Sequence, residues 1–217
     1  MELPTSHESG HVYDPTDAKA NALRDSRPII IGSLDLEMSC LNSDIGGILQ
    51  IGLWMTGQSE GVLRGYYRCD VNPENMGFGR PKRKIVYDKK SMEVNGITPE
   101  LIRTGVSVPD ALMGLLGEMS RYRGSRIVLV GAGIGSDMEW LEKMLWVFGY
   151  TLPSFELVEI KDLTKKALGE EMGLNKAASR VGVKNSNAHD ALADAWCGAV
   201  TAHRLGALIR ERGGEPW

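Results

Sequence analysis

The chain is 217 residues long, 42% hydrophobic and 24% charged, with a formal net charge of −3, so it suits one self-sufficient domain and excludes a chain drawn to nucleic acid by its overall field. Its cysteines, Cys40, Cys69 and Cys197, are odd in number and lack CxxC spacing, which excludes a disulfide framework or structural zinc site and points to a reducing, cytoplasmic setting. The polar N-terminus has no basic segment followed by an apolar stretch and no apolar run reaches transmembrane length, so no export signal and no membrane contact are expected.

Residues 1–27 are polar and aperiodic, and a flexible arm is expected there, with His7 and His11 as solvated tail histidines. A folded domain is expected over 28–217. Ile29, Ile30 and Ile31 open a strand that runs through Asp35 to about Glu37. After a turn at Asn42, Asp44, Gly46 and Gly47, a second strand runs from Ile48 to Met55 and a third from about Val62 to Cys69, an antiparallel meander. Residues 72–90 read as irregular, and Arg80, Lys82, Arg83 and Lys84 cluster there. Apolar spacing predicts a helix over 108–122, a buried strand at Ile127–Val130, a helix at Ser136–Phe148 and a fifth strand at Leu157–Ile160. Helices at 162–168, 174–181 and 190–212 follow, with Asp162 as a helix cap. A meander followed by strand–helix alternation implies an α/β fold: a mixed five-stranded sheet, antiparallel first and then parallel, flanked by helices.

Three segments carry chemistry. In Gly32-Ser-Leu-Asp-Leu-Glu-Met-Ser39, strand periodicity puts Asp35 and Glu37 on one face and Leu34, Leu36 and Met38 on the other. Paired carboxylates repel unless a cation lies between them, so the pair suits a hard divalent ion. Taken alone, it equally fits a solvated strand end. In Asn187-Ala-His-Asp-Ala-Leu-Ala-Asp194, positions five apart on a helix cannot share a face, so His189 can meet Asp194 only if it lies in the loop before the helix; the alternative is a helix cap with a surface histidine. Asp190 is then the N-cap and Asp194 lies one turn in, able to point at the strand acids. In Val128 to Leu141, Asp137 opens a helix beyond the C-terminal end of a strand, where open α/β sheets place their sites. The rival reading of this last segment is a dinucleotide-binding turn at Gly131, Gly133 and Gly135, its spacing only partial.

Together these segments resemble the DEDDh (DnaQ-like) 3′→5′ exonuclease family of the RNase H-like superfamily. Asp35-Leu-Glu37 matches its first motif, Asp137 its second, and His189 with Asp194 its third; Val94 to Thr98 and Leu174 to Val183 are similar to segments between the motifs. The likeness spans about residues 28–206. Members often carry His-Asn where this chain has Ala132 and Gly133.

The resemblance implies a hydrolase of single-stranded DNA or RNA acting at 3′ ends and releasing nucleoside 5′-monophosphates. Two Mg²⁺ or Mn²⁺ ions would sit on Asp35, Glu37, Asp137 and Asp194, with His189 as general base, a role that suits an imidazole near neutrality. Met38, Ser39 and Leu41 would flank the terminal nucleotide, and Arg80 and Lys82 would hold the strand's backbone. Homo-oligomerisation is left open. The competing readings are a nucleic-acid-binding module without catalysis and a nucleotide-cofactor enzyme.

Overall fold

A computed structural model describes residues 27–217 of the chain. The expected N-terminal arm, with His7 and His11, therefore falls outside the described residues except for Arg27. Ile29–Met38 (β1), Ile48–Thr56 (β2) and Leu63–Asn72 (β3) form the expected meander, with β1 antiparallel to β2 and β2 to β3. Arg126–Gly131 (β5) runs parallel to β1, and Glu156–Glu159 (β6) parallel to β5. The sheet has six strands rather than five, in the order β4-β3-β2-β1-β5-β6. The addition, β4 (Val106–Ser107), is two residues beside the end of β3, too short to leave a periodic signature.

Seven helices are described: α1 (Lys89–Asn95), α2 (Pro99–Thr104), α3 (Val108–Ser120), α4 (Ile134–Phe148), α5 (Ile160–Leu168), α6 (Leu174–Arg180) and α7 (Ala191–Glu211). Sequence periodicity misses α1 and α2, which are held by local caps: the Asp88 side chain accepts from the Ser91 N–H, and Thr98 accepts from the Leu101 N–H ahead of Pro99. Asp162 is not a cap. It stands inside the first turn of α5, whose N-cap position is Glu159.

The alternation of β1 sorts its side chains into two cores. Ile30, Leu34 and Leu36 pack with Leu112 and Leu115 of α3 and Leu141 and Leu145 of α4. Ile31 packs on the other face with Leu163 of α5 and Ala202, Leu205 and Ile209 of α7. Asp35 and Glu37 share that second face, the side of α7. Burying four Leu or Ile side chains contributes on the order of 6–12 kcal/mol of hydrophobic free energy before entropy is counted. Both cores therefore clamp β1 at the centre of the sheet.

One glycine sets how α7 lies. Gly52 stands opposite Asp35 in the β1–β2 register, and a Cβ there would lie 2.1 Å from the backbone carbon and oxygen of Ala191. The start of α7 thus rests on bare backbone, directly beside the strand acids. Gly52→Ala should cost about 1–3 kcal/mol or more through overpacking. Gly117→Ala, in an open position of α3, should instead stabilise by about 0.5–1 kcal/mol. Thermal melts of the two variants check this; equal Tm values would show that α7 does not depend on the close approach.

Candidate active site

β1 brings Asp35 and Glu37 to its last turn-free residues, both half-buried, with a register shift between Glu37 and Met38 where the strand leaves the sheet. Asp137 is buried in the first turn of α4, which follows directly on β5. Because the β1–β5 pairing ends at Ser33 and Val130 while the β1–β2 pairing continues, the later N–H groups of β1 on the β5 edge have no strand partner. Asp137 takes a backbone hydrogen bond from Leu36 there.

Asp190 is the N-cap of α7, as the sequence spacing implies, accepting from the Ala193 N–H at 3.1 Å. Asp194 follows in the first turn. Its carboxylate is fixed from two sides: the His189 backbone N–H donates to Oδ2 at 2.9 Å, and the Asn185 side-chain amide donates to Oδ1. His189 has φ 68°, the one positive φ outside glycine among the described residues. Left-handed backbone costs most side chains free energy, and such strain gathers at functional sites where the surroundings hold it. The turn leaves the ring exposed, and a ring nitrogen of His189, a Glu37 oxygen and an Asp194 oxygen lie within 4.8 Å of one another.

The electrostatics follow from this crowding. Burial raises the Asp35 pKa well above its usual range, helped by the charges of Asp137, Asp194 and Glu37. Burial and then Asp194 and Asp137 push Glu37 up to about 8. Asp137 rises to about 7, mainly by burial, although backbone N–H groups pull against it. Among the described residues, no cationic side chain offsets the shifts of these three carboxyls. The Arg68 guanidinium is engaged by Asp70 at 2.9 Å and Asp190 at 3.2 Å. An all-oxygen set of buried, mutually repelling carboxylates fits a hard divalent cation.

Residues that sequence reasoning missed hold this arrangement. Gln50, buried in the middle of β2, donates to Asp70 at 2.8 Å and accepts from the Ala191 N–H at 2.7 Å, tying α7 to the sheet. Its signal was a polar side chain inside the apolar run Ile48 to Trp54. Glu159, at the end of β6, accepts from the Gly133 N–H at 2.9 Å and the Gly135 N–H at 3.4 Å. That carboxylate fills the glycine-rich turn that otherwise reads as a dinucleotide-binding loop.

The expected substrate contacts divide. Leu41 is 92% exposed beyond β1, Lys82 is exposed, and Met38 is half-buried. Ser39 is wholly buried: its hydroxyl donates to the Val86 carbonyl at 2.7 Å and accepts from the Gly47 N–H at 2.9 Å, so it serves the scaffold and offers no surface to a substrate. Arg80 lies over the Phe148 ring at 4.6 Å and donates to the Val147 carbonyl. That is the far end of α4 from Asp137, roughly 15 Å along the helix axis. Arg83 is likewise spent on the carbonyls of Ser43 and Asp44.

A mixed sheet whose central strand carries an acidic pair, met by an acid on each of two helices and a histidine on a loop, defines a nuclease of the RNase H-like, DnaQ-like class. The Exonuclease family (RNase T type) matches residues 33–197, and the chain belongs to it. No curated protein sequence is similar enough to match. Among solved structures, E. coli exonuclease I in a zinc-bound complex with single-stranded DNA superposes with a TM-score of 0.66 at 15% identity, over 84% of this chain and 42% of that one. The chain thus spans 42% of the length of that exonuclease. The nuclease domain of 3′hExo, a DEDDh family member bound to rAMP, gives 0.62 at 13% identity, over 86% of this chain and 94% of that one. A 3′-exonuclease that recognises a histone mRNA stem-loop gives 0.65 at 14%, over 83% and 64%. The DEDDh recognition drawn from the motifs is borne out. Among the described residues no helix is long and apolar enough to cross a membrane.

The raised carboxyl pKa values have a consequence without metal. Between the ordinary carboxylate range and about 7 to 8, the folded protein holds more protons on Asp137 and Glu37 than the unfolded chain does. Stability from these groups is therefore present at the acid side and is lost as pH rises through that window. In excess chelator, Tm should fall from pH 5 to pH 8 more steeply for the wild type than for Glu37→Gln. Identical slopes would show that repulsion at this site does not strain the fold.

Proposed function

We propose that the protein is a metal-dependent 3′→5′ exonuclease that removes nucleoside 5′-monophosphates from single-stranded DNA or RNA. The observation that supports this best is the convergence of Asp35, Glu37, Asp137 and Asp194 with no compensating cationic side chain among the described residues, beside an exposed His189. These four carboxylates would hold two Mg²⁺ or Mn²⁺ ions, which would supply charge neutralisation and a water that ionises near neutrality and would ease departure of the leaving group. His189, in its neutral form, accepts the proton of the attacking water at a ring nitrogen. Its backbone N–H keeps the Asp194 carboxylate turned toward β1, so one residue orients a ligand and serves the water. The phosphorus–oxygen bond to the 3′ oxygen breaks, leaving a 3′-hydroxyl on the shortened strand. Leu41, exposed at the end of β1, and Met38 beside it wedge against the terminal base, and Lys82 meets the backbone.

The test is incubation with 5′-labelled single strands of DNA and RNA. Mg²⁺ or Mn²⁺ should yield a ladder that shortens from the 3′ end, with mononucleotide product, and EDTA should abolish it. Adding the ion should also raise Tm, because it binds the native state. Binding without any hydrolysis would instead favour the non-catalytic module.

Four variants separate the roles. Asp35→Ala and Asp194→Ala should abolish hydrolysis with little loss of fold, since each removes repulsion along with a ligand. Asp190→Ala should cost about 1 kcal/mol as a lost N-cap and stay active. His189→Ala should lose on the order of 10²- to 10⁴-fold in rate while still binding the ion, and the rise of rate with pH should flatten. An unchanged pH–rate profile in that variant would remove His189 as the base.

A further inference from the structure

Strand β2 carries an amide, Gln50, and a hydroxyl, Thr56, in an otherwise apolar run, and both side chains are buried. Both reach α7, at different heights. The Thr56 hydroxyl donates to the Ile31 carbonyl at 3.2 Å and lies 2.7 Å from Nε2 of His203, in the middle of the helix. Gln50 reaches the first residue of the helix, accepting from the Ala191 N–H. The β1–β2 register pairs Gln50 with Glu37, so its side chain starts beside a candidate ligand, on the face that meets α7.

The N–H groups of a helix's first turn have no partner within the helix. In α7 the Asp190 carboxylate takes the Ala193 N–H, and Gln50 takes the Ala191 N–H from across the sheet. The direction of the amide is fixed in turn. Asp70 is paired with Arg68 as a carboxylate and can only accept, so the Gln50 nitrogen must face Asp70 and its oxygen must face α7. Arg68 also holds Asp190 at 3.2 Å. The bonds therefore close a ring, from Gln50 through Asp70 and Arg68 to Asp190 and back through Ala191. Asp190 adjoins His189, and its carbonyl accepts from the Asp194 N–H at 2.9 Å. Where α7 starts thus sets where His189 and Asp194 stand.

We propose that Gln50 is a positioning residue for the candidate metal site, acting through the Ala191 N–H to fix how far Asp194 and His189 stand from Glu37. Asp70 and Arg68 serve it by fixing which way its amide points. This role rests on the metal-dependent reading above. Without the amide, the first turn of α7 loses its tie to β2, and an arriving cation must draw its ligands together. The bond does not pass through the Asp190 side chain, so Asp190→Ala leaves it in place. Being buried, Gln50 touches no part of a bound strand.

The test titrates Mn²⁺ into the metal-free full chain by calorimetry, without substrate, and then measures kcat and KM on a single-stranded oligonucleotide. Gln50→Leu, similar in size but unable to make either bond, should bind Mn²⁺ about 10- to 100-fold more weakly, and kcat should fall while KM for the strand holds. Thr56→Val is the matched control, since His203 lies about 18 Å along the helix axis from Ala191. It should lower Tm and leave both Mn²⁺ affinity and kcat unchanged. Asp70→Ala, at a half-buried position, should weaken Mn²⁺ binding in the same direction, and it decides the matter if Gln50→Leu does not fold. Wild-type affinity in Gln50→Leu, or in Asp70→Ala where that variant must decide, overturns the positioning role. Equal weakening in Thr56→Val overturns it too, because the loss would then be general loosening of α7. A wild type that binds Mn²⁺ but cleaves nothing overturns the exonuclease reading alone, and the affinities still decide the role of Gln50. A wild type that binds no Mn²⁺ overturns both.

Discussion

Four carboxylates gathered at one place, three of them (Asp35, Glu37 and Asp137) where burial opposes ionisation, form the constraint around which the rest of the molecule is arranged. Left to itself, such a cluster spreads apart. Here each acid is carried by an element that cannot retreat: Asp35 and Glu37 by a strand clamped between two cores, Asp137 by a helix bonded back to β1, Asp194 by a helix seated on Gly52. Gln50 and Asn185 add hydrogen bonds that oppose rotation or withdrawal of α7. The stored repulsion would amount to preorganisation for the proposed cation, whose ligands would already be in place.

Two acids outside the cluster show the same economy. Asp190 caps α7 and also holds Arg68 in an ion pair at 3.2 Å. Glu159 caps α4 from a neighbouring strand, where Gly133 offers no side chain to do so. Its charge counts against ionisation of Asp137, yet it fixes the turn from which Asp137 projects. In both cases a side chain trades a small electrostatic cost near the site for a fixed helix start.

What the sequence made legible followed rules of short range. The two-residue period of β1 placed Asp35 with Glu37, and helix geometry with cap chemistry put His189 outside α7, Asp190 at its cap and Asp194 inside. The short helices α1 and α2 were missed although Thr98-Pro99-Glu100 is a helix-start signature, because too few residues follow to show a period. The basic run from Arg80 to Lys84 could not be sorted, since Arg80 and Arg83 are claimed by α4 and by the β1–β2 turn, partners far along the chain. Ser39 misled for the same reason. Gln50, Asn185 and Glu159 act through contacts made only once the sheet is assembled.

The left-handed backbone at His189 has an evolutionary side. Glycine or asparagine would sit in that conformation with less strain than histidine does. The N–H that holds Asp194 belongs to the backbone, so either replacement would keep it. Replacing the histidine would therefore leave a protein at least as stable and equally able to gather its carboxylates, lacking only the ring. Selection for folding alone would not preserve histidine at this position. The presence of histidine in this strained conformation therefore favours the proposed role of its ring in turnover.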